Sequence, residues 1–206
     1  MKTLNQILNF RLLALLFAAV LVTTSCDNDD DAAPDVEEEL EVITNVILNF
    51  TPVGGGQIII GIAVDPDGEG IQELAEQDAP IILAADTEYV LTYEIINGLD
   101  PNDPEDIGEE ILEEDNEHQF FYAFSNGLFA SPMGNGNVDS ASDPLNYNDE
   151  DENGNPVGLS TSWTTGDPAT GTFTARLQHQ PDLKSATTGA NDGDTDFNLM
   201  FDLIIQ

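Results

Sequence analysis

Apolar side chains recur at every second position through most of this chain, the period of a strand with one face on a core and the other in water. Phe197, Leu199, Phe201, Leu203 and Ile205 share one such face, and Tyr89, Leu91, Tyr93 and Ile95 share another behind the Asp86-Thr87 loop exit. Val42, Val46, Leu48 and Phe50 form a third, after which Gly54-Gly55-Gly56 turns the chain into Ile58, Ile60, Ile62 and Val64. Further strands are expected over residues 118–124, 157–164 and 172–179, with a weaker one between 137 and 148. Strands at this spacing, joined by Gly, Asn and Asp turns, predict an all-β fold: an antiparallel β-sandwich of immunoglobulin-like or jelly-roll topology.

One segment departs from the period of two. Asp103-Pro104 is a helix start, with Asp as N-cap and Pro at the first helical position, and Ile107, Ile111 and Leu112 continue it as an apolar stripe. The spacing predicts one short acidic helix over residues 104–115. Glu105/Glu109, Asp106/Glu110, Glu109/Glu113 and Glu110/Glu114 are like-charge pairs at i,i+4, each costing a few tenths of a kcal/mol in an isolated helix.

The N-terminus has a different pattern, an unbroken apolar run. Leu12 to Val22 is eleven residues long, a helix of about 16 Å against a hydrocarbon core of ~30 Å, so it reads as a signal-peptide core and not as a permanent span. Lys2 and Arg11 supply the positive leader, and Thr23-Thr24-Ser25 the small residues of a cleavage site before Cys26. Leu21 to Cys26 resembles a bacterial lipobox, with Thr23 where Leu is usual. Cys26 is the sole cysteine, which excludes an intrachain disulfide and makes lipidation of its sulfur the expected use. The chain accordingly divides into a lipoprotein signal peptide (1–25), an acidic tether (26–40) and a single β-sandwich domain (41–206). Residues 27 to 41 carry nine acids and no base, a composition that repels itself and stays extended.

Charge narrows the partners. Over the whole chain, 40 acids face four bases, and beyond the signal peptide only Arg176 and Lys184 remain on the basic side. Nucleic acid and anionic lipid are thereby excluded, since phosphates are bound through Lys and Arg. Such self-repulsion is tolerable where salt screens it, which fits a marine or salt-tolerant source. Hydrophobic residues still make up 40% of the chain in patterned blocks, so a folded body is expected.

Two constellations could hold ions. His118 and His179, the only histidines, stand 61 residues apart, each in phase with large apolar neighbours: Phe120, Tyr122 and Phe124 for the first, Phe173 and Leu177 for the second. If their strands are neighbours, the two imidazoles and the carboxylates of Glu113, Glu114 and Glu117 could make a transition-metal site, the alternative being packed histidines satisfied by hydrogen bonds. Asp149, Asp151 and Asn153, followed by Gly154, match the start of a calcium loop, although Ser160 stands where the bidentate Glu would be and an Asn-Gly hairpin turn explains the same residues. Asp65 to Gly70 and Asp192 to Asp196 are similar acidic turns. No G-x-S-x-G or triad context is present, and Trp163, in phase with Val157, Leu159 and Thr161, is expected in the core instead of at a sugar platform.

Glu41 to Phe50, Leu83-Ala84-Ala85-Asp86-Thr87-Glu88-Tyr89, Glu117-His118-Gln119-Phe120-Phe121, Tyr147 to Leu159 and Asp194 to Gln206 together resemble a family of uncharacterised flavobacterial (Bacteroidota) surface lipoproteins. Members often carry the label type 1 periplasmic binding fold superfamily protein, which implies a parallel α/β sheet that these alternating residues do not support. The acids after Cys26 likewise resemble the signal by which Bacteroidota export lipoproteins to the cell surface. The resemblance implies an outer-membrane lipid anchor, surface exposure and a TonB-dependent receptor as partner. The function expected is non-enzymatic: capture of a ligand or cation for that receptor, or alternatively a structural or adhesive lipoprotein stiffened by calcium.

Overall fold

The computed structural model describes residues 41–66, 75–76 and 79–206, and Cys26 and the segments expected as signal peptide and tether lie outside the described residues. Among the described residues, eleven strands and one helix follow in chain order: β1 (Asn45–Pro52), β2 (Ile59–Val64), β3 (Ala75–Glu76), β4 (Ile81–Leu83), β5 (Glu88–Asn97), β6 (Glu105–Asp106), α1 (Ile107–Glu113), β7 (His118–Phe124), β8 (Phe129–Ser131), β9 (Ser160–Thr165), β10 (Ala169–His179) and β11 (Asp194–Ile205). They make two sheets, one in the order β3-β2-β1-β5-β9-β8 with β6 added on β5, the other in the order β4-β11-β10-β7. The fold is all-β with one short helix, as the alternation predicts. One pair departs from antiparallel pairing: β4 runs parallel to β11, with Leu203 opposite Ile81 and Ile205 opposite Leu83.

The inner faces of the two sheets interdigitate through their aromatic rings. Trp163 of β9 meets Phe173 of β10 at 5.2 Å and 77°, Phe50 of β1 meets the same Phe173 at 5.6 Å, and Tyr93 of β5 stacks on Phe120 of β7 at 4.4 Å. Edge-to-face and stacked contacts of these kinds add about 0.5–1.5 kcal/mol each beyond the burial of the rings. Phe197, Leu199, Phe201, Leu203 and Ile205 are all buried on β11, and Trp163 belongs to the core.

Several expectations are corrected. On β2 the inward residues are Gly61 and Ala63, while Ile58 and Ile60 are exposed and Ile62 and Val64 half-buried. Gly61 and Ala63 lie opposite the buried Leu48 and Val46 of β1, which fixes their face. A side chain at Gly61 would collide with Ile81, whose Cδ1 lies 2.6 Å from where a Cβ would stand. At the start of β1, Ile43 and Thr44 are buried in place of Val42, which is exposed. The helix is shorter than residues 104–115, because Glu105 and Asp106 pair with Asn97 and Ile96 of β5 and stay extended. Asp106, not Asp103, caps it, accepting from the Glu109 amide. Residues 137–148 form no strand; single bridges tie Gly136, just before them, to Ala123 and Tyr147 to Thr161.

Candidate metal centre

His118 opens β7 and His179 closes β10, and the register of these antiparallel strands sets the two residues directly opposite one another. Their rings stack, with centroids 4.5 Å apart and planes within 7°. Gly193 makes this end of β10 possible: it has φ +78°, and a Cβ there would stand 2.1 Å from the His179 carbonyl oxygen. Behind it the loop is tied down by Gln180, whose amide donates to the carbonyls of Gly189 and Asp192.

The His118 side chain is wholly buried. Its Nδ1 lies 3.3 Å from the carbonyl oxygen of Glu114, a group that can only accept, so Nδ1 carries the proton and Nε2 presents a lone pair. That lone pair meets further acceptors: Glu41 Oε1 at 3.5 Å and Asp196 Oδ2 at 3.9 Å. Nε2 of His118, Oε2 of Glu41 and both oxygens of Asp196 are buried without a hydrogen-bond partner in the protein, as is Nε2 of His179, which lies 3.5 Å from Glu117 Oε2. Acceptors gathered out of water without donors are costly, at roughly 1–3 kcal/mol for each unsatisfied group.

The electrostatics reflect that cost. Burial pushes the Asp196 carboxyl up to about 8, with Glu41 and Asp194 adding to it. Burial likewise lifts Glu41 to about 7, aided by Glu110 and Glu114 of the neighbouring helix segment. The His118 imidazole goes the other way, down to about 4, first by burial and then by His179. Both carboxyls are therefore pushed toward their protonated forms unless a positive charge joins them, and His118 does not supply one.

Of the residues expected from the sequence, Glu114, His118 and His179 offer ligand atoms within 4.8 Å of one another, the only such trio among the described residues. Glu117 stands beside His179, whereas Glu113 is exposed at the end of α1 and belongs to neither cluster. Sequence reasoning missed Glu41 and Asp196. Glu41 ends an acidic run that reads as tether, yet its side chain is only 12% exposed. Asp196 reads as part of an acidic turn but sits in a β-bulge: Leu177 pairs with Phe197 and Gln178 with Thr195, leaving Asp196 as the extra residue, buried beside Phe197. A bulge re-aims a side chain, and no periodicity marks it in advance.

The calcium-loop residues are held by internal partners. Asp149 accepts from the amides of Gly158 and Ser160, and Asp151 Oδ1 from those of Asn153 and Asn155. The other oxygen of Asp151 lies 3.3 Å from the Lys184 ammonium, which also donates to the Asp115 carbonyl. Burial raises the Asp151 carboxyl, but the Asn155 hydrogen bonds and Lys184 outweigh it and hold the group below its ordinary value. The Asn153-Gly154 segment forms a tight turn, with Gly154 at φ +80° and its amide donating to the Asp151 carbonyl. The cation of this loop is an ammonium that the chain itself provides.

No protein-family model matches the chain, and neither a curated protein nor a solved structure does.

Proposed function

We propose that this chain is a non-enzymatic, lipid-anchored surface protein of the outer membrane whose β-sandwich captures a cation beside His118 and hands it to a TonB-dependent receptor. The observation that carries the reading is the buried set of lone pairs on His118, Asp196 and Glu41, which no hydrogen bond of the protein satisfies. A cation satisfies all of them at once. The acidic composition favours encounter with cations and disfavours anions. Anchoring rests on Cys26 and its flanks, and the receptor on the family resemblance. The calcium-stiffened adhesive alternative gains nothing from the geometry, because Lys184 already neutralises Asp151.

The test is equilibrium dialysis of chelator-free protein against divalent ions, with metal content read by mass spectrometry, followed by co-purification from detergent-solubilised outer membranes. One tightly held ion per chain and a co-purifying receptor are expected. A chain that retains no ion against any divalent cation contradicts capture, and an ion-bearing chain that brings down no receptor contradicts the partnership.

A further inference from the structure

The geometry points to one class of ion and one set of ligands: a divalent transition metal of the zinc class, bound by His118 Nε2, Asp196 and Glu41, with His179 and Glu114 outside its direct contacts. This rests on the capture reading above and names the ion and its holders.

The ring stack is the first reason. A metal binds imidazole along the in-plane lone pair, and with the His118 and His179 planes only 7° from parallel, their lone pairs cannot converge on one ion. His118 Nδ1 is also withdrawn, because it donates to the Glu114 carbonyl, the backbone contact that fixes the tautomer of a metal-binding histidine. The ion must therefore lie on the Nε2 side, where Glu41 and Asp196 stand.

Spacing and chemistry agree with this placement. Two metal bonds of about 2.0–2.1 Å at a tetrahedral angle hold their ligand atoms about 3.4 Å apart. Glu41 stands 3.5 Å from Nε2 and Asp196 3.9 Å, too far for hydrogen bonds but close to that span. One nitrogen and two carboxylates suit a transition ion, whereas calcium requires six to eight oxygens. A divalent charge also balances the two carboxylates, so the group can be neutral within the core. Three protein ligands leave a position for a further one, as in an exchangeable site.

The protein is purified without chelator, and zinc affinity is measured by competition with a chromophoric chelator for wild type, Glu41→Ala, Asp196→Ala, Glu114→Gln and His179→Phe. Cadmium-loaded wild type, labelled with nitrogen-15, is examined for metal coupling to the histidine ring nitrogens. Glu41→Ala and Asp196→Ala are each expected to weaken zinc by more than about 100-fold, beyond the loss typical of a supporting residue, and the other two by about 10-fold or less. Coupling is expected at Nε2 of His118 and at neither nitrogen of His179. Either alanine variant binding within about 10-fold of wild type, or coupling to Nδ1 of His118 or to His179, overturns the ligand set while leaving capture in place. Wild type that binds no transition ion overturns the ion class and its ligand set, and wild type that retains no divalent cation of any kind overturns capture as well. Should an alanine variant fail to fold, the cadmium spectrum of the wild type decides alone.

Discussion

Oδ2 of Asp196 lies 3.9 Å from Nε2 of His118 at the buried end of the sandwich, and neither atom has a hydrogen-bond partner. One comes from a bulge in the last strand and the other from the first residue of β7, so the contact joins distant parts of the chain. Two acceptors held this close in a core need a proton or a metal between them, and the two can be told apart by pH.

In the presence of chelator, stability is expected to fall as pH rises from 6.5 to 8. Asp196 and Glu41 have folded values raised to about 8 and about 7, so the stability they contribute is full below their unfolded values and lost as pH passes the folded ones. His118 is lowered to about 4, so its contribution is lost in the opposite direction, as pH falls from 6.5. Above pH 6.5 the two acids act alone, facing Glu110 and Glu114 from the helix side and Asp194 from β11, with His179 and Lys184 nearby. Thermal melts should show a Tm several degrees lower at pH 8 with EDTA, and zinc should abolish most of that fall. A Tm in EDTA that rises over this range contradicts the assignment.

Lys184→Ala is expected to cost about 3 kcal/mol, measured by urea unfolding. The ammonium side chain is wholly buried between Asp151 and the Asp115 carbonyl, and removing it leaves a buried carboxylate short of its partner. Calcium should leave the melting of the wild-type chain unchanged. A rise of several degrees on adding millimolar calcium would show that the loop takes the ion despite its lysine.

Gly193→Ala should destabilise the fold by roughly 2–3 kcal/mol, because its φ of +78° strains any other residue and a Cβ has no room beside the His179 carbonyl. Gly154→Ala, at φ +80° with open space around it, carries the backbone strain alone and should cost about 1 kcal/mol. Equal losses in the two variants, by the same urea assay, would remove the steric part of the argument.

Cys26→Ala is expected to move the protein from the membrane pellet to the soluble fraction, with no change in the melting of the folded domain. Lipid labelling of the wild type and its absence in the variant would complete the assignment. A variant that stays with the membrane would place the anchor elsewhere.

Much of the fold is legible because β5, β10 and β11 beyond its bulge alternate between faces, and the two histidines are legible because each follows the phase of Phe120 or Leu177. Where reading failed, tertiary contact had overridden a local signal. On β2 apolar residues occupy both phases, and the choice falls to the side where Ile81 leaves room only for Gly61. Asp103-Pro104 is a sound helix start that loses to the pairing of Glu105 and Asp106 with β5. Glu41 is hidden by the nine acids of its own run, which make any one of them look like solvent-facing charge. In the calcium-loop segment the ion pair of Asp151 with Lys184 is not legible, because the lysine stands 33 residues beyond it and shares no pattern with it.

The bulge at Asp196 makes the site a matter of counting as well as chemistry. Deleting Thr195 would keep Asp196 and all the apolar residues after it, yet it would let β11 pair with β10 without a surplus residue and set that carboxylate opposite Gln178, on the other face of the strand from Phe197. Such a protein would fold with the two Asp196 oxygens removed from the buried, unpartnered group, and it is expected to lose the proposed ion. For the ligand set proposed above, one codon inserted or deleted at this bulge is enough to make or unmake it, a change that comparison of residue identities alone would pass over.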